Sequence, residues 1–113
     1  MKCVLLHRLT GEWIEDHGMA SASGLVNVRT GEWDPELLDV VGLRAQNLST
    51  IAGRTEIIGT ITPEAAAEFG LPAGLSAING SGDGFLAHLG SDCETPQKIS
   101  VTLGTSAVVR QIV

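Results

Sequence analysis

The sequence of 113 residues has few aromatic and few basic side chains. It contains no tyrosine, two tryptophans and two phenylalanines, and its seven lysines and arginines are outnumbered by thirteen acidic residues. Because nucleic acids and anionic membrane surfaces are bound through basic patches, the resulting formal charge of −6 argues against both as main partners. An anionic small ligand is not excluded, since backbone amides can bind phosphate without lysine or arginine.

Cysteines and long apolar runs are also scarce. Cys3 and Cys93 are far apart and in no metal or redox spacing, so we expect free thiols in a reducing compartment. The apolar run over 4–9 is interrupted by charge too early for a signal peptide, and no stretch approaches the length of a membrane span. The three histidines show no metal-ligand spacing, so we expect no metal site among them. These absences favour a cytoplasmic protein.

Helix and strand patterns alternate along the chain, which predicts the α/β class. Two helices share one pattern, in which Asp34 or Thr62 caps the start, proline follows, and Gly42 or Gly70 ends the helix. A third helix is predicted from Asp83 onward. The remaining predicted elements are a short helix over 4–9, strands over 25–28 and 56–61, a buried strand over 75–79, and a hairpin of 99–103 with 107–113.

The stretch G-S-G-D-G at 80–84 is the first candidate site. It matches neither the dinucleotide fingerprint nor the Walker loop. Glycines let a backbone approach a ligand closely, and an aspartate at a helix N-terminus stays ionised, so Asp83 could accept a proton from a hydroxyl nucleophile. The structural alternative is a helix cap after a glycine turn, and this segment taken alone favours that alternative.

The stretch L-G-T-S at 103–106 is the second candidate site. Gly104, Thr105 and Ser106 offer closely spaced amides and two hydroxyls at a strand end, which could hold a phosphate. A hairpin turn containing hydroxyl residues is the alternative explanation. Two small-residue loops about twenty residues apart, one of them with an acid, favour a site divided between a nucleotide and a phosphoryl acceptor.

These two loops and their flanks resemble the FGGY carbohydrate kinases. The segments G-S-G-D-G-F-L-A-H-L-G (80–90) and I-S-V-T-L-G-T-S-A-V-V-R (99–110) are similar to that family's succession of strand, Gly-Asp turn, helix and T-hydrophobic-G-T-S/G turn. Residues 5–38 resemble the stretch before the family's interdomain crossover, and residues 57–74 resemble the segment that opens its second domain. The Gly-Asp-Gly turn followed by A-H-L-G looks closest to gluconate-kinase-like members, with xylulose-kinase-like members next.

The resemblance implies part of an actin-like, ribonuclease-H-like ATPase fold, with residues 1–48 ending the first domain and residues 49–113 beginning the second. It implies a kinase that transfers the γ-phosphoryl group of ATP, with Mg²⁺, to a hydroxyl of a sugar or sugar acid, gluconate before xylulose. Asp83 would contact that hydroxyl and act as general base. The second phosphate loop, which touches ATP, would consist of Gly104, Thr105 and Ser106.

The family's first phosphate loop, most of its sugar-binding residues and its adenosine-binding region have no counterpart in this sequence. We therefore expect a central segment that is inactive in isolation, because catalysis needs both substrates held in line. Two alternatives stay open. One is a truncated relative that acts as an oligomerising or ligand-binding module, and the other is an unrelated α/β phosphate-binding domain in which residues 1–42 pack with the rest in one core. A homo-oligomer is compatible with each of these.

Overall fold

A computed structural model describes residues 1–112, which form two compact units, one over Met1–Ser81 and one from Gly82 onward. Helices and strands are interleaved along the chain, so the predicted α/β class is confirmed. Within the described residues, no helix is both long enough and apolar enough to cross a membrane. Both cysteines are free thiols, as predicted.

The first unit contains two pairs of short strands with helices between them. Strand β1 pairs with β2 in parallel, and β3 pairs with β4 antiparallel. The elements of this unit, in chain order, are α1 (Lys2–Thr10), β1 (Ile14–Asp16), α2 (His17–Ala22), α3 (Pro35–Val40), a 3₁₀ turn (Ala45–Asn47), β2 (Thr50–Ala52), β3 (Ile57–Thr60), α4 (Pro63–Phe69) and β4 (Ser76–Ile78).

The two helices with a predicted cap form as expected. The side chain of Asp34 accepts hydrogen bonds from two backbone amides in the first turn of α3, and Thr62 accepts one at the start of α4. Helix α4 ends at Gly70, whose φ of 67° lies in the left-handed region that glycine adopts without strain. The buried residue of α3 is Leu38.

Other local predictions for this unit were wrong or incomplete. The stretch over 25–28 forms a single bridge, between Val26 and Trp33, because the residues that follow Asn27 fold into a turn. The strand predicted over 75–79 is present as β4, but it is not buried, since Ile78 is 60% exposed. Strand β1 and helix α2 were not predicted, because three and six residues are too few to show a clear period.

The apolar core of the first unit is small. Ile61, Ala65 and Ala66 are buried, and Leu9 of α1 and Ala77 of β4 pack against them. The N–H of Thr62 donates to the carbonyl oxygen of Leu9 at 3.0 Å, which ties the end of α1 to the start of α4. With so few buried apolar side chains, polar contacts carry much of the organisation of this unit.

A buried carboxylate, Asp16, joins several elements of the first unit. Its side chain is 1% exposed, and its Oδ2 accepts from Lys2 Nζ at 2.7 Å. Its Oδ1 accepts from the amides of Gly18 and Met19, which begin α2, and from the hydroxyl of Ser81. Burial opposes the charged form, but the hydrogen bonds from Lys2, Ser81 and Met19 outweigh it and hold the pKa of Asp16 below its usual value.

The same lysine reaches a buried amide at the end of β4. Lys2 Nζ donates to Asn79 Oδ1 at 3.0 Å, and Asn79 Nδ2 donates to the carbonyl oxygens of Ala52 and Gly53 at 3.2 and 3.3 Å. One polar network therefore joins the start of α1, the ends of β1 and β2, and the chain from Asn79 to Ser81. The first two residues of the G-S-G-D-G stretch are thus anchored in the first unit.

Replacement of Asp16 by asparagine tests this network. We expect Asp16→Asn to lower the free energy of unfolding by roughly 3 kcal/mol, because it removes one partner of a buried ion pair. The matched control is Glu68→Gln, which removes the exposed ion pair with Arg8 and should cost less than about 1 kcal/mol. Urea unfolding followed by circular dichroism measures both values. Equal losses in the two variants would contradict the structural importance of Asp16.

The pH dependence of stability provides a second test. Because the pKa of Asp16 is lower in the folded chain, its ionised carboxylate stabilises the fold above the unfolded pKa, near 3.8, and this contribution is lost as the pH falls from there through the folded pKa. The difference in unfolding free energy between wild type and Asp16→Asn should therefore shrink below about pH 4. Urea unfolding between pH 7 and acid conditions measures it, and a constant difference would refute the linkage.

Candidate functional site

The second unit, from Gly82 onward, contains every predicted site residue. Strands β5 and β6 pair antiparallel with Leu103 opposite Ala107, so residues 104–106 form the loop of a hairpin. The predicted helix and hairpin are both present, while Val113, the last residue of the predicted final strand, lies outside the described residues. The elements of this unit are α5 (Asp83–Gly90), β5 (Ile99–Leu103) and β6 (Ala107–Gln111).

Asp83 is the first residue of α5 and is exposed. The N-cap position is taken by Gly82, which has no side chain, so Asp83 is not the capping residue that the structural alternative required. Its Oδ1 accepts from the N–H of Gly84 at 2.7 Å. Within residues 1–112 the carboxylate makes no other hydrogen bond or ion pair, so its Oδ2 is open to a ligand.

The loop over 104–106 presents small neutral donors at the end of the hairpin. The N–H of Gly104 donates to the carbonyl oxygen of Ser106 at 2.9 Å, which closes the loop. Thr105 and Ser106 are exposed, and the part of the chain that the structure describes provides no partner for their hydroxyls. Hydroxyl and amide donors suit phosphate oxygens. The donor set of this loop therefore fits the nucleotide that the sequence predicts, while the Asp83 carboxylate suits a hydroxyl donor or hydrated Mg²⁺.

Two contacts one helical turn apart join α5 to the hairpin. His88 Nδ1 lies 2.6 Å from the hydroxyl oxygen of Ser100 in β5. Arg110 of β6 is paired directly opposite Ser100, and its guanidinium lies against Gly84. The His88 side chain is buried, and its Nε2 has no hydrogen-bond partner among the described residues. These contacts hold the helix that carries Asp83 on the hairpin that carries the loop.

Arg110 was not among the residues singled out from the sequence. Its Nη1 donates to Thr102 Oγ1 at 2.9 Å, and the residue is half-buried. The available signal was an isolated cation in the aliphatic segment A-V-V-R-Q-I-V, where a partly buried charge needs polar partners. That signal marks the residue, but it does not identify Thr102 or Gly84 as its neighbours.

Residues 1–90 match the FGGY family of carbohydrate kinases, N-terminal domain, and the chain therefore belongs to the FGGY family. The match extends past residue 48, and strands β1 and β2 pair across that position. The division of the longer protein into domains over 1–48 and 49–113 stays a prediction.

Two curated relatives illustrate the similarity in sequence. The gluconokinase of Bacillus subtilis (strain 168) is 33% identical over 113 residues, which cover 100% of this chain and 22% of that protein. The autoinducer-2 kinase of Yersinia enterocolitica is 38% identical over 101 residues, which cover 89% of this chain and 19% of that protein. This chain thus spans about a fifth of the length of these relatives.

Two solved structures illustrate the similarity in fold. Gluconate kinase from Lactobacillus acidophilus has a TM-score of 0.93 at 33% identity, with 99% of this chain and 23% of that chain covered. Xylulose kinase from the same organism has a TM-score of 0.91 at 32% identity, with 97% of this chain and 22% of that chain covered. The predicted family and the predicted portion of an actin-like ATPase fold are both confirmed.

The contact between His88 and Ser100 can be tested by one substitution that removes the serine hydroxyl. Ser100→Ala should lower the free energy of unfolding by about 1–3 kcal/mol, because the Nδ1 of a buried histidine loses its hydrogen-bond partner. The control is Ser106→Ala, which removes an exposed hydroxyl and should change stability by less than about 0.5 kcal/mol. Urea unfolding of the chain distinguishes the two, and a neutral Ser100→Ala would show that this contact does not hold α5.

Proposed function

We propose that this chain is a segment of an ATP-dependent carbohydrate kinase that phosphorylates a hydroxyl of a sugar or sugar acid. The proposal rests on one observation, an exposed carboxylate with an open oxygen in the same compact unit as a loop of neutral hydroxyl and amide donors. Phosphoryl transfer needs both a proton acceptor for the attacking hydroxyl and donors for the phosphate oxygens. Membership of the FGGY family supports this assignment.

Asp83 is the general base in this proposal. The hydrogen bond from the N–H of Gly84 orients one oxygen of the Asp83 carboxylate. The other carboxylate oxygen accepts the proton of the sugar hydroxyl while the hydroxyl oxygen attacks phosphorus. The new bond joins the hydroxyl oxygen to the γ-phosphorus. The bond from that phosphorus to the bridging oxygen breaks, and ADP leaves with its electrons. A positioned base of this kind contributes about 10²- to 10⁴-fold to the rate.

Gly104, Thr105 and Ser106 bind phosphate oxygens in this proposal. The N–H of Gly104 already closes the loop, so Gly104 contributes the close approach of its backbone, and the donors are the amides and hydroxyls of Thr105 and Ser106. These donors are neutral, which is consistent with a chain that has few basic residues and a net negative charge. ATP supplies the phosphoryl group and Mg²⁺ neutralises its oxygens when both are bound. The role of the protein loop is to hold those oxygens in line with the acceptor, since positioning provides most of the catalysis in such reactions.

Gluconate is the favoured acceptor, and xylulose is the next candidate. The similarity to a gluconokinase and a gluconate kinase supports gluconate, and the similarity to a xylulose kinase supports the second candidate. The autoinducer-2 kinase, at 38% identity, adds a third acceptor chemistry to be tested. A cytoplasmic location and self-association also belong to the proposal.

A chimera tests this proposal, with residues 1–113 replacing the matched segment of Bacillus subtilis gluconokinase. We expect the chimera to phosphorylate gluconate in an assay coupled to release of ADP. Asp83→Asn should lower kcat by at least about 100-fold, because the amide cannot accept the hydroxyl proton. The isolated chain should bind poorly and show no turnover, since it holds only part of the expected site.

The matched control is Asp92→Asn, which removes an exposed acid that pairs with Lys98 and should leave kcat unchanged. Near-wild-type turnover by Asp83→Asn would show that Asp83 is not the base. A folded chimera that phosphorylates neither gluconate, xylulose nor the autoinducer-2 kinase substrate would contradict the kinase proposal.

A further inference from the structure

We infer that Arg110 is a positioning residue for Asp83, because its guanidinium holds the first turn of α5 against the β5–β6 hairpin. This inference rests on the proposed role of Asp83 as base. It adds to that proposal a residue that touches neither substrate, and it gives the glycine after Asp83 a structural reason.

The first observation is the close approach of Arg110 to Gly84. A Cβ built on Gly84 would lie 2.8 Å from Nη2 of Arg110 and 3.4 Å from both Cζ and Nε. A real Cβ is not found within 3.0 Å of another heavy atom, so the guanidinium lies where a side chain at position 84 would be. The planar end of the arginine therefore lies directly on the backbone of the residue that follows Asp83.

The second observation is that the hairpin orients Arg110. Thr102 is opposite Val108 in the register of β5 and β6, so Thr102 and Arg110 lie on one face of the hairpin. The hydrogen bond from Arg110 Nη1 to Thr102 Oγ1 fixes one edge of the guanidinium at 2.9 Å. Because the group is planar and rigid, fixing one edge also orients the edge that lies on Gly84.

The third observation is a parallel contact one turn further along α5. Gly84 and His88 are four residues apart and lie on the same side of the helix. Their partners, Arg110 and Ser100, are directly opposite each other in the hairpin. The Ser100 contact holds the last turn of the helix, whereas the Arg110 contact lies at the turn that begins with Asp83 and is therefore the one beside the carboxylate.

The consequence for catalysis is a requirement on geometry. A general base must come within about 2.6–3.2 Å of the hydroxyl oxygen whose proton it accepts. A misplacement of about 1 Å can cost about 10² in rate without any change in chemistry. Loss of the Arg110 contact should therefore lower kcat while leaving the binding of both substrates unchanged.

Kinetics of the chimera described above test this role. Arg110→Ala should lower kcat by about 10- to 100-fold with the KM for gluconate and for ATP unchanged. Arg110→Lys should recover part of the loss, since it keeps the charge and the length but not the planar fork. Arg29→Ala, at an exposed arginine of the first unit, is the control and should behave as wild type. An unchanged kcat, or an effect confined to KM, would refute the positioning role.

A glycine substitution tests whether Arg110 acts through Gly84. Gly84→Ala places a methyl group where the guanidinium lies, and the flexible arginine side chain should move away at little cost in stability. The kcat of Gly84→Ala should then fall by about as much as that of Arg110→Ala. The double variant should be no worse than the more damaging single variant, because both changes remove one contact. If the fold-losses in kcat of the two single variants multiplied in the double variant, the two residues would act independently.

The orientation of α5 provides a measurement that does not depend on activity. Residual dipolar couplings of the 113-residue chain give the angle between α5 and the hairpin. That angle should change in Arg110→Ala and return towards the wild-type value in Arg110→Lys, and an unchanged angle would overturn the inference. If the angle changes but the wild-type chimera has no kinase activity, the proposed function fails while the contribution of Arg110 to helix position is supported.

Discussion

The buried carboxylate of Asp16 is the interaction on which the first unit depends. Its charge is removed from water, and the cost of that desolvation must be offset by hydrogen bonds and by an opposite charge. Asp16 receives those bonds from Lys2, from two amides that begin α2 and from Ser81. The donors come from three segments of the chain, and together they offset the cost of burying the charge. Asp16 thereby fixes the end of β1, the starts of α1 and α2 and the turn at Ser81 relative to one another.

The second unit carries an exposed carboxylate, that of Asp83, and a hairpin loop of small neutral residues on one small scaffold. Asp83 follows Gly82, an N-cap residue without a side chain, and the hairpin loop contributes the neutral hydroxyl and amide groups of Thr105 and Ser106. The two features belong to separate elements, so their relative position depends on the side chains between the helix and the hairpin. In this structure those side chains are His88 with Ser100 and Arg110 with the backbone of Gly84.

The sequence was informative where several local signals agreed. The helix over Pro63–Phe69 was predicted correctly because its cap, its proline and its final glycine all lie within nine residues of the chain. The positions of Asp83 and of the loop over 104–106 followed from glycines and hydroxyls at strand ends, although their roles stay predictions. Long-range pairing could not be predicted in this way, because nothing in the sequence around Asp16 indicates a partner 65 residues away at Ser81. Arg110 escaped notice for the same reason.

The separation between the partners of the buried network has a consequence for how the chain acquires its structure. Lys2 and Asn79 are 77 positions apart, so their contact closes a long loop, and a loop of that length is entropically unfavourable until other contacts have shortened it. During synthesis, Asp16 cannot receive its last hydrogen bond until Ser81 has left the ribosome. The polar interior of the first unit is therefore completed only when nearly all of its 81 residues have been synthesised.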